Sequence, residues 1–458
     1  MKKIILTAAL AAAMCVAFAA CGEEEAMQVQ VTPGEETVLE DGVYEGFTID
    51  YDLSGTEDSP TIIRAAEGAS PVIKVAPGDV QSGETDELDS SYGIYLCNAH
   101  DVILEGITVE GGTHGIIYES LPNKGVESFD NITIRDCKVS GVVGAHGICF
   151  YAANDFAPVR NVTVEGCEVS DCLCGDSESL VLNGNIDGFT IANNRIHDNN
   201  NIGIDMIGFE GTAMHPEDGD FGNPYDADMA RNGKCFGNVV YNISAEGNPA
   251  YYEDGEYDLC ADGIYVDGGQ NIEIYNNFVY RCDIGIEVAT EHSPDDNPLF
   301  KVSGIDVHDN VIANCEGWCG LCFGGYDRDL GFTEDCAFHN NTLVDNGTQV
   351  GVQRSNGNKI YDNLFVGGDS AIDFNYDCRI KDLINDFGRN VWCFEEGDLE
   401  EMMDTGSYGL SILIPESNMQ KQEAVNDRGQ VLDGLKSKIE GVGSSYVPDE
   451  EEIELWEQ

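Results

Sequence analysis

Short apolar–any–apolar runs recur along most of this chain, each closed by polar residues and then by Asn or a small side chain. Val102-Ile103-Leu104, Ile132-Thr133-Ile134, Val162-Thr163-Val164 and Phe189-Thr190-Ile191 open the series. Ile272-Glu273-Ile274, Ile305-Asp306-Val307, Cys336-Ala337-Phe338 and Asn358-Lys359-Ile360 continue it, with a degenerate copy at Cys235-Phe236-Gly237-Asn238. Alternation of period two over runs this short predicts β-strands, and no stretch of the repeat region offers a helical stripe. Each unit predicts three strands: Ile272–Ile274, then, past the Asn276-Asn277 turn, Phe278–Tyr280, then Gly285–Val288. The spacing varies from 22 residues (Asn341 to Asn363) to 44 (Asn194 to Asn238). A fixed motif at a variable period implies a fixed scaffold carrying loops of differing length.

A three-strand unit cannot bury its inward side chains alone, whereas stacked units can, so the pattern predicts a parallel solenoid. Asn194, Asn238, Asn277, Asn310, Asn341 and Asn363 would then stack as a ladder, with Asn itself taking the tight turn conformation. These motifs resemble the right-handed parallel β-helix, or pectin-lyase-like, superfamily over residues 40–378, and the resemblance implies an all-β fold with three-strand rungs and an Asn ladder. Right-handedness is also expected for parallel crossovers. Residues 379–458 lose the repeat and are expected to form a C-terminal cap and acidic tail, with a short helix near Leu399–Met403.

The first residues set the compartment. Lys2-Lys3, the apolar run Ile4–Ala20 and small residues before Cys21-Gly22 resemble a bacterial lipoprotein signal, with Phe18 where Leu is usual. Residues 1–20 would be removed, Cys21 lipidated, and 21–39 left as a tether and the start of the cap. The protein is therefore expected to be a cell-surface or periplasmic lipoprotein, meeting the membrane only through its lipid, and a monomer. Of 17 cysteines, those at repeated positions read as buried thiols, and Cys315, Cys319 and Cys322 form only a weak metal pattern.

Charge narrows the partners. With 84 acidic against 23 basic residues and a net charge of −61, nucleic acid is excluded as a partner and a polyanionic substrate is disfavoured. The third strands carry outward residues in two columns. Ile117, Cys149, Val181, Asp205, Tyr265, Glu287 and Cys322 form one; Glu119, Tyr151, Asn183, Ile207, Asp267, Ala289 and Gly324 form the other. Asp205, Asp267 and Glu287 fall on successive rungs, with Cα separations of roughly 8–10 Å. Carboxylates at this spacing suit glycoside hydrolysis, in which crowding keeps one acid protonated.

Long loops flank the same rungs at 208–234, 244–262 and 290–303, and suggest a cleft. Tyr225, Tyr251, Tyr252, Tyr257, Trp318 and Tyr326 are available there to stack on sugar rings. Tyr265, Asp262, Glu291, His292 and Asp327 are further candidates for substrate contact. Gly263-Ile264-Tyr265-Val266-Asp267 resembles the acid-bearing strand of β-helix glycosidases of xylosidase and lacto-N-biosidase type, although Glu287 stands in the other column. Glycoside hydrolysis of an oligo- or polysaccharide, requiring no cofactor, is the leading expectation. A calcium-assisted polysaccharide lyase is second, since Arg231, Arg281, Arg328 and Arg354 offer few bases. A glycan-binding or structural surface protein without catalysis is third.

Overall fold

The computed structural model describes residues 26–78, 91–122, 125–215, 222–325, 329–374, 378–393, 403–404 and 428–458. The signal segment with Cys21, and Tyr326, Asp327 and Arg328, lie outside them. Three long parallel sheets run side by side, and each successive rung contributes one strand to each sheet. The first sheet runs from Glu36–Leu39 to Asp386–Phe387, the second from Gly42–Tyr44 to Val391–Cys393, and the third from Phe47–Asp50 to Met403–Asp404. This is the right-handed parallel β-helix that the repeat predicts.

The rungs extend past the span 40–378 at both ends. Met403–Asp404 is a strand paired with Ile372–Asp373, not part of a helix. Thr348–Val352 also forms a third-sheet strand that the motif does not signal, pairing with Cys319–Phe323 on one side and Ser370–Phe374 on the other. Gln349, Gly351 and the thin apolar content of that stretch hide its alternation.

Inward positions of all three sheets make one continuous core of Ile, Val, Leu and Phe. At its first corner the asparagine ladder is present and longer than the repeat shows. The Nδ2 of Asn194 donates to Oδ1 of Asn238 at 3.0 Å, and the same bond repeats through Asn277, Asn310, Asn341 and Asn363 to Asn390. Each Oδ1 also accepts the backbone N–H of the preceding ladder residue. On the earlier rungs Cys137 and Cys167 hold the equivalent place, and Cys167 N–H caps the ladder by donating to Asn194. The ladder asparagines do not themselves adopt the left-handed conformation. That falls to the residue before most of them: Asn193, Asn276, Asp309, Asn340 and Asp362 have φ of 53–56°, and Gly237 has φ of 65°. Hence the doublets Asn-Asn and Asp-Asn, one residue tolerating positive φ and the next supplying the amide.

Most of the 15 cysteines in the described residues are buried. They fill small core positions as apolar side chains do.

Segment 428–458 lies along the flank of the second sheet instead of closing the end of the stack as a cap. The outer face of that sheet is apolar (Val239, Phe278, Tyr280, Val311, Val344 and Leu364 among others), and Val431, Leu435 and Val442 cover it. Trp456 Nε1 donates to Asn314 Oδ1 at 2.8 Å, and Ser444 Oγ to the carbonyl of Asp309 at 2.7 Å. The acidic tail is a helix, Glu450–Glu457, started by a capping box between Asp449 and Glu452.

This packing makes three predictions about stability. Asn277→Ala leaves the backbone N–H of Asn238 and one of its two side-chain N–H groups without an acceptor in a dry corner, and is expected to cost about 3 kcal/mol. Asn276→Gly, at the left-handed position, is expected to change stability by less than about 1 kcal/mol. Urea midpoints of the two variants check both. Removal of residues 428–458 is expected to bare the second sheet, lower the melting temperature and raise binding of a hydrophobic dye.

Candidate functional site

The site lies on the outward face of the third sheet. Strand register places Ile117, Cys149, Val181, Asp205, Tyr265, Glu287 and Cys322 in one continuous column, as the alternation predicts. Two steps further along the strands, Glu119, Tyr151, Asn183 and Ile207 are in register with one another, and Asp267 with Ala289.

A third outward column was not apparent from alternation. At the start of these strands the chain turns a corner at a glycine, and a Cβ there would strike the next rung. At Gly263 it would lie 2.5 Å from Val279 Cγ1, and at Gly285 2.5 Å from Ile312 Cγ2. The glycine and the residue after it therefore both face inward, and the residue before it faces outward. In successive units that position holds His114, His146, Glu178, Ile202, Asp262, Ile284 and Cys319. The recurring glycine was the available signal for it.

The three columns bring Asp205, Asp262 and Glu287 together on three adjacent rungs, with Asp267 beside them. All four carboxyl groups are more than nine-tenths buried. Tyr265 is buried between Asp205 and Glu287 in the column. Burial, with the nearby charges of Glu178 and Asp267, pushes the Asp205 carboxyl well above the usual range. Burial and the charges of Glu287 and Asp205 do the same for Asp262. Burial and the charges of Glu291 and Glu210 raise Asp267. Burial raises Glu287 to about 7, against hydrogen bonds from Cys322 and Asp262 that hold it down. Several carboxylates this close cannot all ionise together, so protons leave the group stepwise.

Not every expected residue reaches the row. Glu291 is exposed and meets Asp267 through its backbone N–H, 3.3 Å from Oδ1. His292 faces outward to Glu210, with Nε2 to Oε1 at 2.7 Å, and its ring lies against Phe300. Trp318 packs on Ile284, Cys319 and Cys322, its Nε1 3.4 Å from Asp373 Oδ2. Tyr225 packs on Phe300, within a small loop core with Phe209 and Met229. Tyr251 packs against the main core, while Tyr252 and Tyr257 pair with each other on an exposed hairpin. Most of the loop aromatics thus hold the loops together. The loops, expected to wall a cleft, fold over the row and bury it.

The same face continues toward the N-terminus with polar groups that the alternation missed. His146 Nε2 lies 3.0 Å from Glu178 Oε2 and 3.2 Å from the Tyr151 hydroxyl. Its ring stacks on His114, whose basicity burial and the neighbouring His146 bring down to about 3. On this face the Oδ1 atoms of Asn183 and, within the acid row, of Asp205 and Asp262 are buried with no hydrogen-bond donor.

A family model described as periplasmic copper-binding protein (NosD) matches residues 58–209 and 225–390. An uncharacterised protein of Bacillus subtilis (strain 168), YwoF, is 36% identical over 357 residues, which is 74% of this chain and 69% of YwoF. Among solved structures, the lacto-N-biosidase of Eubacterium ramulus superposes with a TM-score of 0.52 at 14% identity, over 79% of this chain and 62% of that one. The A-module of an Azotobacter vinelandii mannuronan C-5 epimerase superposes with a TM-score of 0.45 at 14% identity, over 82% of this chain and 89% of that one. The lacto-N-biosidase shares the fold; the family match covers both halves of the β-helix and agrees with the YwoF identity, and the chain accordingly belongs to the NosD family.

Proposed function

We propose that this protein is an exported, surface-anchored glycoside hydrolase acting on the outward face of its third sheet. One observation carries the reading: the buried row Asp205, Asp262 and Glu287, with neighbouring acceptor oxygens that have no donor. A sugar offers a ring of hydroxyl donors to such acceptors. Glu287, raised to about 7, is half protonated near neutral pH, as a general acid requires. Asp262 hydrogen-bonds to it and shares its proton. Asp205 stands two rungs away in the same column, roughly 10 Å between Cα atoms. Side-chain reach brings the two carboxyl groups into the interval of about 6.5–9.5 Å at which inverting hydrolases hold a water between acid and base. In the state of the row that has lost one proton, from Asp205, Glu287 would protonate the leaving oxygen and Asp205 would take the proton of the attacking water.

The family description names copper, and the donor set on this face was tested against it. Among the described residues, no three His, Cys, Asp or Glu side chains converge as a metal-binding group. Cys319 and Cys322 come nearest in type, but burial raises both above the ordinary thiol range and keeps them as thiols. Copper is held by deprotonated sulfur or by imidazole. These residues do not fit a copper centre, and no step of the proposed reaction runs through one.

Glu287→Gln is expected to lower kcat by about 10²–10⁴-fold with little change in KM, and Asp205→Asn to do likewise. The rate should fall as pH rises through about 7, because the acid loses its proton. Stability should move the same way. Glu287 binds its proton more tightly in the folded than in the unfolded chain, so the contribution it makes at low pH is lost between its unfolded value and about 7. Glu287→Gln should flatten the melting temperature over that window. Mass spectrometry of oligosaccharides incubated with the mature chain decides the chemistry. Products carrying an added water support hydrolysis, unsaturated products replace it with elimination, and intact glycans across a broad panel overturn it.

A further inference from the structure

Two histidines on the outer face of the first sheet are held at both ring nitrogens. Strand register sets Glu273 against Asp306, and Tyr275, His308 and His339 against one another, on three successive rungs. His308 Nδ1 lies 2.9 Å from Asp309 Oδ2, and its Nε2 3.3 Å from Glu273 Oε1 one rung back. His339 repeats the pattern, with Nδ1 3.0 Å from Asn340 Oδ1 and Nε2 3.0 Å from Asp306 Oδ1 one rung back. Asn340 turns its oxygen to the ring because its Nδ2 donates to the Gly441 carbonyl at 3.4 Å. The rings of Tyr275, His308, His339 and Tyr361 stack in that order, with centroids 4.8–5.2 Å apart.

A neutral imidazole has one N–H and one bare nitrogen, so it cannot donate to two acceptor oxygens. The imidazolium form bonds on both sides and ties its rung to the one before. The surrounding charges agree with that form. Glu273 and Asp306 are like charges in register, which repel unless positive charge lies beside them. Lys234 meets Glu273 at 2.7 Å from the other side. Lys234 and His308 hold Glu273 below the usual carboxyl range, and His339 does so for Asp306. Against burial, hydrogen bonds from His308 and Ser445 hold Asp309 at about 2. Asp309 raises His308; against burial, Asp306 and Asn340 raise His339. Also near the pair are Tyr275, Tyr361, Lys359 in the column of Asp306, and Asp362 with its partner Arg389. The C-terminal segment meets the pair through backbone, Ser445 N–H on Asp309 and the Gly441 carbonyl on Asn340.

We infer that His308 and His339 are held as imidazolium ions and form a pH-sensitive clip across three rungs, closed at neutral pH and below and released in alkaline surroundings. The first two of these units continue into Ile284–Ala289 and Cys319–Phe323, so the clip joins the rungs on which Glu287 and Cys322 meet. Each histidine binds its proton more tightly in the folded chain. Its contribution is complete below the unfolded value of about 6.5 and is lost as pH rises through the raised folded value.

Nitrogen-15 NMR of the imidazole rings in the mature chain tests the clip, with resonances assigned from His308→Gln and His339→Gln. Both nitrogens of each ring are expected to carry a proton at pH 7, with a midpoint above about 6.5. Glu273→Gln is expected to lower the His308 midpoint, and Asp306→Asn the His339 midpoint, each by about 0.5 pH unit. Between about pH 6 and 9 the melting temperature of the unsubstituted chain should fall about 2 °C more than that of the double His→Gln variant. A singly protonated ring at pH 7, or a midpoint at or below the unfolded value, overturns the inference. So does a raised midpoint that survives both acid substitutions, since it then comes from the overall charge of −61. Equal loss of melting temperature in the unsubstituted and doubly substituted chains overturns the clip as a switch, whatever the rings carry.

Discussion

Every rung of this molecule finds its partners in the next rung. The backbone N–H and C=O groups pair across rungs, and so do the buried amides from Asn194 to Asn390, each Oδ1 accepting two donors from the rung before. A buried amide without its neighbour costs as much as several hydrogen bonds contribute. The register between rungs is thereby held to a single residue, and a slip would turn every inward side chain outward. All else on the surface inherits this register. Columns stay columns over the whole stack, so a substitution that places an acid at one outward position places it beside whatever its neighbours carry there.

The corner glycine converts that regularity into a site. Because a Cβ at Gly263 or Gly285 would strike the core of the following rung, two consecutive residues turn inward and the residue before them turns out. Asp262 reaches Glu287 and Asp205 only through this break in alternation. The same break aligns His114, His146 and Glu178 with the acid row, and it explains why one face of a strand two residues wide can carry three columns of side chains. The loops after Ile207 and Ala289 then fold over the row on their own small core of Phe209, Met229 and Phe300. Their burial of the row, more than any single charge, raises the carboxyl groups, since desolvation leads the causes at each of them.

The C-terminal segment answers a different requirement of the same geometry. A parallel sheet buried on one face presents apolar side chains on the other only where something covers them. The second sheet does so from Val239 to Val391, and Val431, Leu435 and Val442 lie across it. The lost repeat after residue 378 is therefore a change of role. Rungs continue to Asp404, and the chain then turns back along their flank.

By itself the sequence determined the three-strand rungs, the stack, the asparagine ladder and the column of Asp205, Tyr265 and Glu287. Each of these is a periodic property, and periodicity survives in one dimension. It also placed Asp267 and Glu291 near the site, because both follow directly from the strands concerned. Tertiary structure alone decided the third column, since a steric clash between Gly263 and Val279 of the next rung has no signature in alternation. It alone decided that His292 turns to Glu210 and that Tyr225 packs on Phe300, because those partners come from loops distant in the chain. It also decided that the acid row is buried and without basic partners. Burial depends on which loops lie over a face, and no spacing of residues along the chain records that.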